Sequence, residues 1–109
     1  MLGVRPIYLT ALLCLGVGLG ACAGQVPQPS DASLKVARER WPDVGLAELT
    51  DGRRLFVARC GSCHTLPLPA DTKPEDWPAV MERMAPLAKL TAAEAQAVER
   101  YLISTVDAK

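Results

Sequence analysis

Two cysteines and a histidine stand close together in the run Cys60-Gly61-Ser62-Cys63-His64. In a helical turn, residues i and i+3 share a face, so both thiols can reach one edge of a flat macrocycle. The histidine that follows can then place a ring nitrogen beneath a metal ion at the centre of that macrocycle. This spacing is typical of c-type haem attachment, in which Cys60 and Cys63 form thioethers and His64 is an axial iron ligand. We therefore expect one haem c per chain.

Two other chemistries use a Cys-x-x-Cys pair. A structural zinc site needs four ligands, yet the chain has no second pair of this kind and His64 is its one histidine. A redox-active dithiol of the thioredoxin type lies beside a βαβ pattern, whereas the residues around Cys60 have a helical pattern. Haem attachment is the preferred interpretation, and zinc binding and dithiol chemistry are the alternatives.

Methionine thioethers are the candidates for the second axial position on the iron. Met81 and Met84 follow the apolar spacing of a predicted helix, and ligation by Met and His occurs in electron-transfer cytochromes c. A methionine on such a face can also simply fill a gap in the core. We choose Met84, because it lies closer to a predicted loop from Ala85 to Leu90. Met81, which would pack beside Trp77, is the alternative.

Residues 1–22 have the pattern of a secretory leader. Arg5 is their one charge, and the apolar run that follows is shorter than the roughly 20 residues that span a bilayer. The run Leu19-Gly20-Ala21-Cys22 resembles a bacterial lipobox, which predicts cleavage before Cys22 and acylation of that cysteine. Cleavage by an ordinary signal peptidase is the alternative. We expect the chain on the periplasmic side of a bacterial membrane, lipid-anchored or, in the alternative, soluble in the periplasm.

The rest of the chain divides into a tether and one domain. Residues 23–32 contain Pro27 and Pro29 and are predicted to form a flexible tether, and residues 33–109 form a single domain. Removal of Arg5 with the leader leaves one more acidic than basic residue in the remaining chain. No basic stripe is interleaved with aromatic residues, so nucleic acid is not an expected partner. We expect a monomer.

Helical periodicity dominates this domain, and no segment alternates with period two, so we predict an all-α fold. The last helix has the clearest start, since Thr91 and Glu94 form a capping-box pattern. The four predicted helices run from Asp31 to Trp41, from about Thr50 or Asp51 through Cys60, from Trp77 to about Ala85, and from Thr91 onward. Asp31 or Ser33 is the expected cap of the first, and Ala95, Val98, Leu102 and Val106 the buried stripe of the last.

From Gly52 to Leu102 the chain resembles small bacterial class I-like monohaem cytochromes c. The likeness is carried by Gly52-Arg53-Arg54-Leu55-Phe56, the Cys60 to His64 run, Trp77 with Met84, and Leu90-Thr91 leading into Tyr101-Leu102. The resemblance implies a small helical domain around a covalently bound haem, with first and last helices that cross at one side of it. It also implies His64 and a methionine as axial ligands.

These observations predict an electron carrier and not an enzyme, because no cluster of titratable side chains accompanies His64 in the sequence. Its partners would be redox proteins such as a dehydrogenase, a reductase or an oxidase, together with a membrane reached through the lipid on Cys22. Two alternatives stand beside this prediction. One is a haem-based sensor or peroxidase-like protein with an open sixth position. The other is a cytochrome subunit of a membrane-associated dehydrogenase or reductase.

Overall fold

The computed structural model describes residues 26–61 and 66–107, which are 74% helical and contain no strand, so the predicted all-α class is confirmed for this part of the chain. The predicted leader, Cys22, Cys63 and His64 lie outside the described residues. The helices are α1 (Asp31–Arg40), α2 (Leu46–Leu55), α3 (Trp77–Leu87) and α4 (Ala92–Asp107). A π-helical turn, Phe56–Cys60, continues α2, and two 3₁₀ turns, Pro69–Asp71 and Pro74–Asp76, precede α3.

Helix α1 is capped by Ser30, whereas Asp31 or Ser33 is the predicted cap. The Ser30 hydroxyl accepts from the Ser33 backbone N–H at 3.2 Å, and the Ser33 hydroxyl accepts from the Ser30 backbone N–H at 2.7 Å. These two bonds satisfy free N–H groups of the first turn reciprocally. The helix ends at Arg40 with Trp41 as its C-cap. Its predicted end before Pro42 is therefore confirmed.

Helix α2 begins at Leu46, so the predicted start near Thr50 or Asp51 is wrong. Gly45 is the N-cap and adopts extended backbone, with φ of −109° and ψ of 161°. The Thr50 hydroxyl instead donates to the Leu46 carbonyl at 2.9 Å, inside the helix. A glycine cap has no side-chain oxygen to mark it in the sequence, which explains the four-residue error.

Helices α2 and α4 cross at Gly52. A Cβ atom at this position would collide with the carbonyl of Ala97 and lie 2.9 Å from the Cβ of Tyr101. The missing side chain therefore lets the two backbones approach closely. One turn further along the chain, at the start of the π-helical turn, the rings of Phe56 and Tyr101 meet with centroids 6.2 Å apart. The most extensive contact between described helices is that of α2 with α4, and α1, the first helix, packs on α4 as well.

The main core lies where α2, α3 and α4 meet, and its buried side chains include Leu55, Phe56, Trp77, Met81, Val98, Tyr101, Leu102 and Ile103. The predicted stripe on α4 is confirmed at Val98 and Leu102, whereas Ala95 and Val106 are only partly buried. The capping box is also confirmed, since Glu94 Oε1 accepts from the Thr91 N–H at 2.9 Å and Thr91 Oγ1 accepts from the Glu94 N–H at 3.2 Å.

Residues 26–30, which the sequence assigns to the flexible tether, lie against the helices; we call them the strap. Val26 is part of the main core, and its carbonyl accepts from Arg53 Nη2 at 3.1 Å. The Tyr101 hydroxyl donates to the Pro27 carbonyl at 2.6 Å. The strap differs from a free tether because its backbone carbonyls accept hydrogen bonds from buried or half-buried side chains of α2 and α4. The next residues, Asp31 and Ala32, already belong to α1.

A smaller cluster holds α1 on the outside of this core. Ala37, Val44 and Leu49 are buried together. Beside them the Arg100 guanidinium lies 5.1 Å from the centre of the Trp41 ring, and its Nη1 pairs with Glu48 Oε1 at 3.1 Å. These contacts explain how a short helix with little apolar surface stays attached to α4.

Candidate cofactor site

Cys60 lies at the end of the π-helical turn that continues α2. A π turn adds one residue to a helical turn, and such turns are frequent at functional sites. The Cys60 side chain is half-buried and packs against the main core, and burial raises the pKa of its thiol. Gly61 follows in a bend, where a Cβ would come within 3.2 Å of the Val57 carbonyl. The chain therefore leaves the helix immediately after the first cysteine of the motif.

A small cleft of about 40 Å³ lies beside Cys60. Its walls come from the π-helical turn, the segment after the motif, α3 and α4, and its lining residues are Phe56, Cys60, Pro67, Trp77, Val80, Met81, Met84 and Leu102. No charged side chain is among these lining residues. Apolar walls with a few sulfur atoms suit a large, flat, apolar cofactor, although the open space of about 40 Å³ is much smaller than the roughly 300–1,000 Å³ of ligand pockets.

Both candidate axial methionines line this cleft. Met81 is 5% exposed and belongs to the main core with Trp77, whereas Met84, one turn further along α3, is partly exposed. The predicted packing of Met81 beside Trp77 agrees with this arrangement. One premise of the choice of Met84 is wrong, because Ala85 does not begin a loop. Helix α3 continues to Leu87 with Pro86 inside it, and the Met84 carbonyl accepts from the Ala88 N–H at 3.0 Å.

The described chain resumes at Leu66, after the Cys60 to His64 run, and reaches the cleft at Pro67. Pro67 lines the cleft, and two hydrogen bonds between Leu68 and Asp71 close the 3₁₀ turn that follows. The Leu68 N–H donates to Asp71 Oδ2 at 2.8 Å, and the Asp71 N–H donates to the Leu68 carbonyl at 3.0 Å. The indole N–H of Trp77 donates to the Pro69 carbonyl at 3.1 Å. Sequence analysis places Trp77 on an apolar face but does not indicate this bond.

Of the three motif residues, only Cys60 lies among the described residues, and the structure brings it together with Met81 and Met84. Cys63 and His64 lie outside them. The described residues on either side, Cys60 and Leu66, both pack against the main core. The described chain therefore lies against the core that carries the methionines both before and after residues 62–65.

A second cavity, of about 260 Å³, lies between the strap, the 3₁₀ turn at Pro69 and the end of α4. Its lining residues include no cysteine, methionine or aromatic side chain. We place the cofactor site at the smaller cleft because the sulfur atoms lie there. Within residues 26–61 and 66–107, no group of three or more His, Cys, Asp and Glu side chains is arranged to hold a metal ion.

Comparison with known proteins adds no relative: no protein-family model, curated protein or solved structure matches this chain. Among the described helices, none is both long and apolar enough to cross a bilayer.

Proposed function

We propose that this protein is an electron carrier with one c-type haem, attached through Cys60 and Cys63 and ligated by His64 and a methionine. The observation that carries this proposal is the cleft in which the half-buried Cys60 thiol and the thioethers of Met81 and Met84 line the same apolar space. When bound, the haem supplies an iron that accepts and gives up one electron. The remaining features of the site follow from what the chain does around it.

The first role of the chain is attachment. The π-helical turn ends at Cys60, which lines the cleft, and the described helix stops at Gly61, just before the predicted attachment residue Cys63 and the predicted ligand His64. Two covalent bonds close to a core helix would hold the macrocycle in one orientation. Cofactor burial would also add apolar surface to a small domain, whose own core is limited by its size.

The second role is control of the environment of the metal. Phe56, Trp77, Val80 and Leu102 line the cleft and exclude water from the cofactor faces. A thioether axial ligand and a low-polarity pocket both raise the reduction potential of haem iron relative to a solvent-exposed bis-nitrogen site. We therefore assign Met84 as the sixth ligand, with Met81 as the alternative on the same helix face. Met84 is the less buried of the two, so its side chain has more freedom to move towards a ligand position.

The third role is delivery to a partner. The lipobox-like run ending in Cys22 supports lipid anchorage on the periplasmic side of a bacterial membrane, with soluble periplasmic protein as the alternative. A monomeric carrier at that surface would exchange electrons with a dehydrogenase, reductase or oxidase. The proposal assigns no catalytic residue, because electron transfer by a haem needs no acid or base.

The test is haem content and redox behaviour of the exported chain. The pyridine haemochrome assay should find one c-type haem per chain, and the intact mass should include the haem and, for a lipoprotein, the acyl groups on Cys22. Cys60→Ser should reduce covalent haem, whereas Cys22→Ser should keep the haem and change only the lipid mass. Reversible reduction without carbon monoxide binding distinguishes a carrier from a sensor with an open sixth position. A correctly exported chain without haem would exclude the proposal.

A further inference from the structure

Trp77 connects α3 to the segment that contributes Pro67 to the cleft. Its side chain lines the cleft and is 2% exposed, while its indole N–H donates at 3.1 Å to the carbonyl of Pro69, two residues after Pro67. Pro69 is itself fully buried. The bond is therefore shielded from water on both sides, where a hydrogen bond is most costly to lose.

The two connected walls carry different parts of the site. On one side, Trp77 begins α3, the helix with Met81 and Met84. On the other side, Pro69 begins the 3₁₀ turn that follows the motif, five residues after His64, and Pro67 between them lines the cleft. The turn is held internally by the Leu68 and Asp71 bonds, and it packs against α4. The Trp77 bond attaches it to α3.

We propose that Trp77 is a positioning residue that sets the separation between the segment after His64 and the methionine helix. This inference rests on the proposed haem function. With both walls held, a ligand from each side can reach one iron at the same time. Without the bond, the wall that follows the motif moves away from α3 more often. The methionine thioether, as the weaker of the two proposed iron ligands, would then be released first.

The expected size of the effect follows from the energy of one hydrogen bond. Removal of the donor leaves the buried Pro69 carbonyl unpaired, which corresponds to roughly a tenfold shift in the equilibrium between closed and open walls. An external ligand binds only the open form, so its apparent affinity rises in proportion to the open fraction. A small nitrogen ligand such as imidazole should therefore bind about tenfold more tightly when the indole N–H is absent.

The experiment compares Trp77→Phe with Trp41→Phe in the exported, haem-loaded protein. The chain has two tryptophans, and Trp41 is a matched control because it lies beside Arg100 and is not among the residues that line the cleft. Imidazole is titrated into the oxidised protein, and the loss of the sulfur-to-iron charge-transfer band is followed. Haem content is measured first in every variant by the pyridine haemochrome assay. A chain without haem would therefore reject the proposed function and not this inference alone.

Trp77→Phe should bind imidazole about tenfold more tightly than the unmodified protein, and Trp41→Phe should bind it with unchanged affinity. Loss of the band in Trp77→Phe before any imidazole is added, with haem content intact, would also support the inference. Equal imidazole affinity in the two variants would overturn it. If Trp77→Phe does not fold, position 77 is replaced by the tryptophan analogue with sulfur in place of the indole N–H, which preserves the ring volume. Unchanged imidazole affinity in that protein would overturn the inference equally.

Discussion

At the scale of single residues, Met81 and Met84 line the same cleft but differ in burial. Met81 is 5% exposed and packs in the main core, and Met84 is partly exposed. Met81→Ala should lower the free energy of unfolding by about 2–5 kcal/mol, because it leaves a cavity in a packed core. Met84→Ala should cost less stability but abolish the sulfur-to-iron charge-transfer band. Absorption spectra of the oxidised protein and denaturant unfolding are measured for both variants. Loss of the band in Met81→Ala alone would show that Met81 is the iron ligand and Met84 is not.

Tyr101 gives a prediction about pH. Burial raises the pKa of its hydroxyl from the ordinary value of 10.0 to about 12, so the folded state favours the neutral phenol. This contribution to stability is fully present below pH 10 and should be lost as the pH rises through about 12. Denaturant unfolding of the unmodified chain should therefore show a loss of stability in this alkaline window.

The matched variant is Tyr101→Phe, which keeps the ring and removes the hydroxyl that donates to the Pro27 carbonyl. Stability at neutral pH should fall by roughly 1 kcal/mol, and the contribution of this residue to the alkaline loss should disappear. Tyr8, the other tyrosine, lies in the predicted leader, so phenolate absorbance of the processed chain reports Tyr101 alone. A phenolate titration centred near pH 10 would contradict the burial argument.

At the scale of elements, the crossing of α2 and α4 depends on the absence of a side chain at Gly52. Gly52→Ala places a methyl group against the Ala97 carbonyl, so we expect a loss of about 1–3 kcal/mol from overpacking. This loss should appear although alanine is otherwise the better helix former by up to about 1 kcal/mol. Thermal unfolding measures the difference.

Gly45→Ala is the control for that substitution. Gly45 is the cap of the same helix, and a Cβ there would meet no atom within 4 Å. No overpacking is therefore expected, and the cost should stay below about 1 kcal/mol, which reflects only the preference for glycine over alanine at an N-cap. If the two glycine substitutions cost the same, the close approach of α2 and α4 at Gly52 would be refuted.

Local patterns in the sequence predict some of these elements well. The start of α4 is correct because Thr91 and Glu94 bond to each other across one turn, and the end of α1 is correct because Pro42 excludes further helix. The start of α2 is missed because its cap is a glycine. The sequence also places Cys60 and the two methionines on inward helix faces, and the cleft unites them.

Contacts between distant residues could not be predicted in the same way. The bond from Arg53 to the Val26 carbonyl joins residues 27 apart, and the bond from Tyr101 to the Pro27 carbonyl joins residues 74 apart. Both acceptors are backbone carbonyls, which every residue has, so the residue types at these positions do not predict the hydrogen bonds. The bond from Trp77 to the Pro69 carbonyl has the same property. The tether therefore looks flexible in the sequence although its described part packs against the helices.

At the scale of the whole molecule, the strap makes the N-terminal segment part of the folded domain. A chain that begins at Asp31 after leader removal would lose the buried Val26 side chain and the acceptors of Arg53 and Tyr101. Its free energy of unfolding should fall by at least about 2 kcal/mol, from the lost burial of one valine and the lost bonds. A chain that begins at Val26 is the control and should keep full stability. Equal stability of both chains would show that the strap contributes nothing.

The docked strap also limits how far the domain can travel from a lipid on Cys22. Four peptide steps separate Cys22 from Val26, and a fully extended chain covers at most about 14 Å over that length. In an acylated protein, the domain would therefore stay close to the lipid headgroups, and its range of positions above the membrane would be small. Its electron donors and acceptors would accordingly have to present their own redox centres low, near the lipid surface.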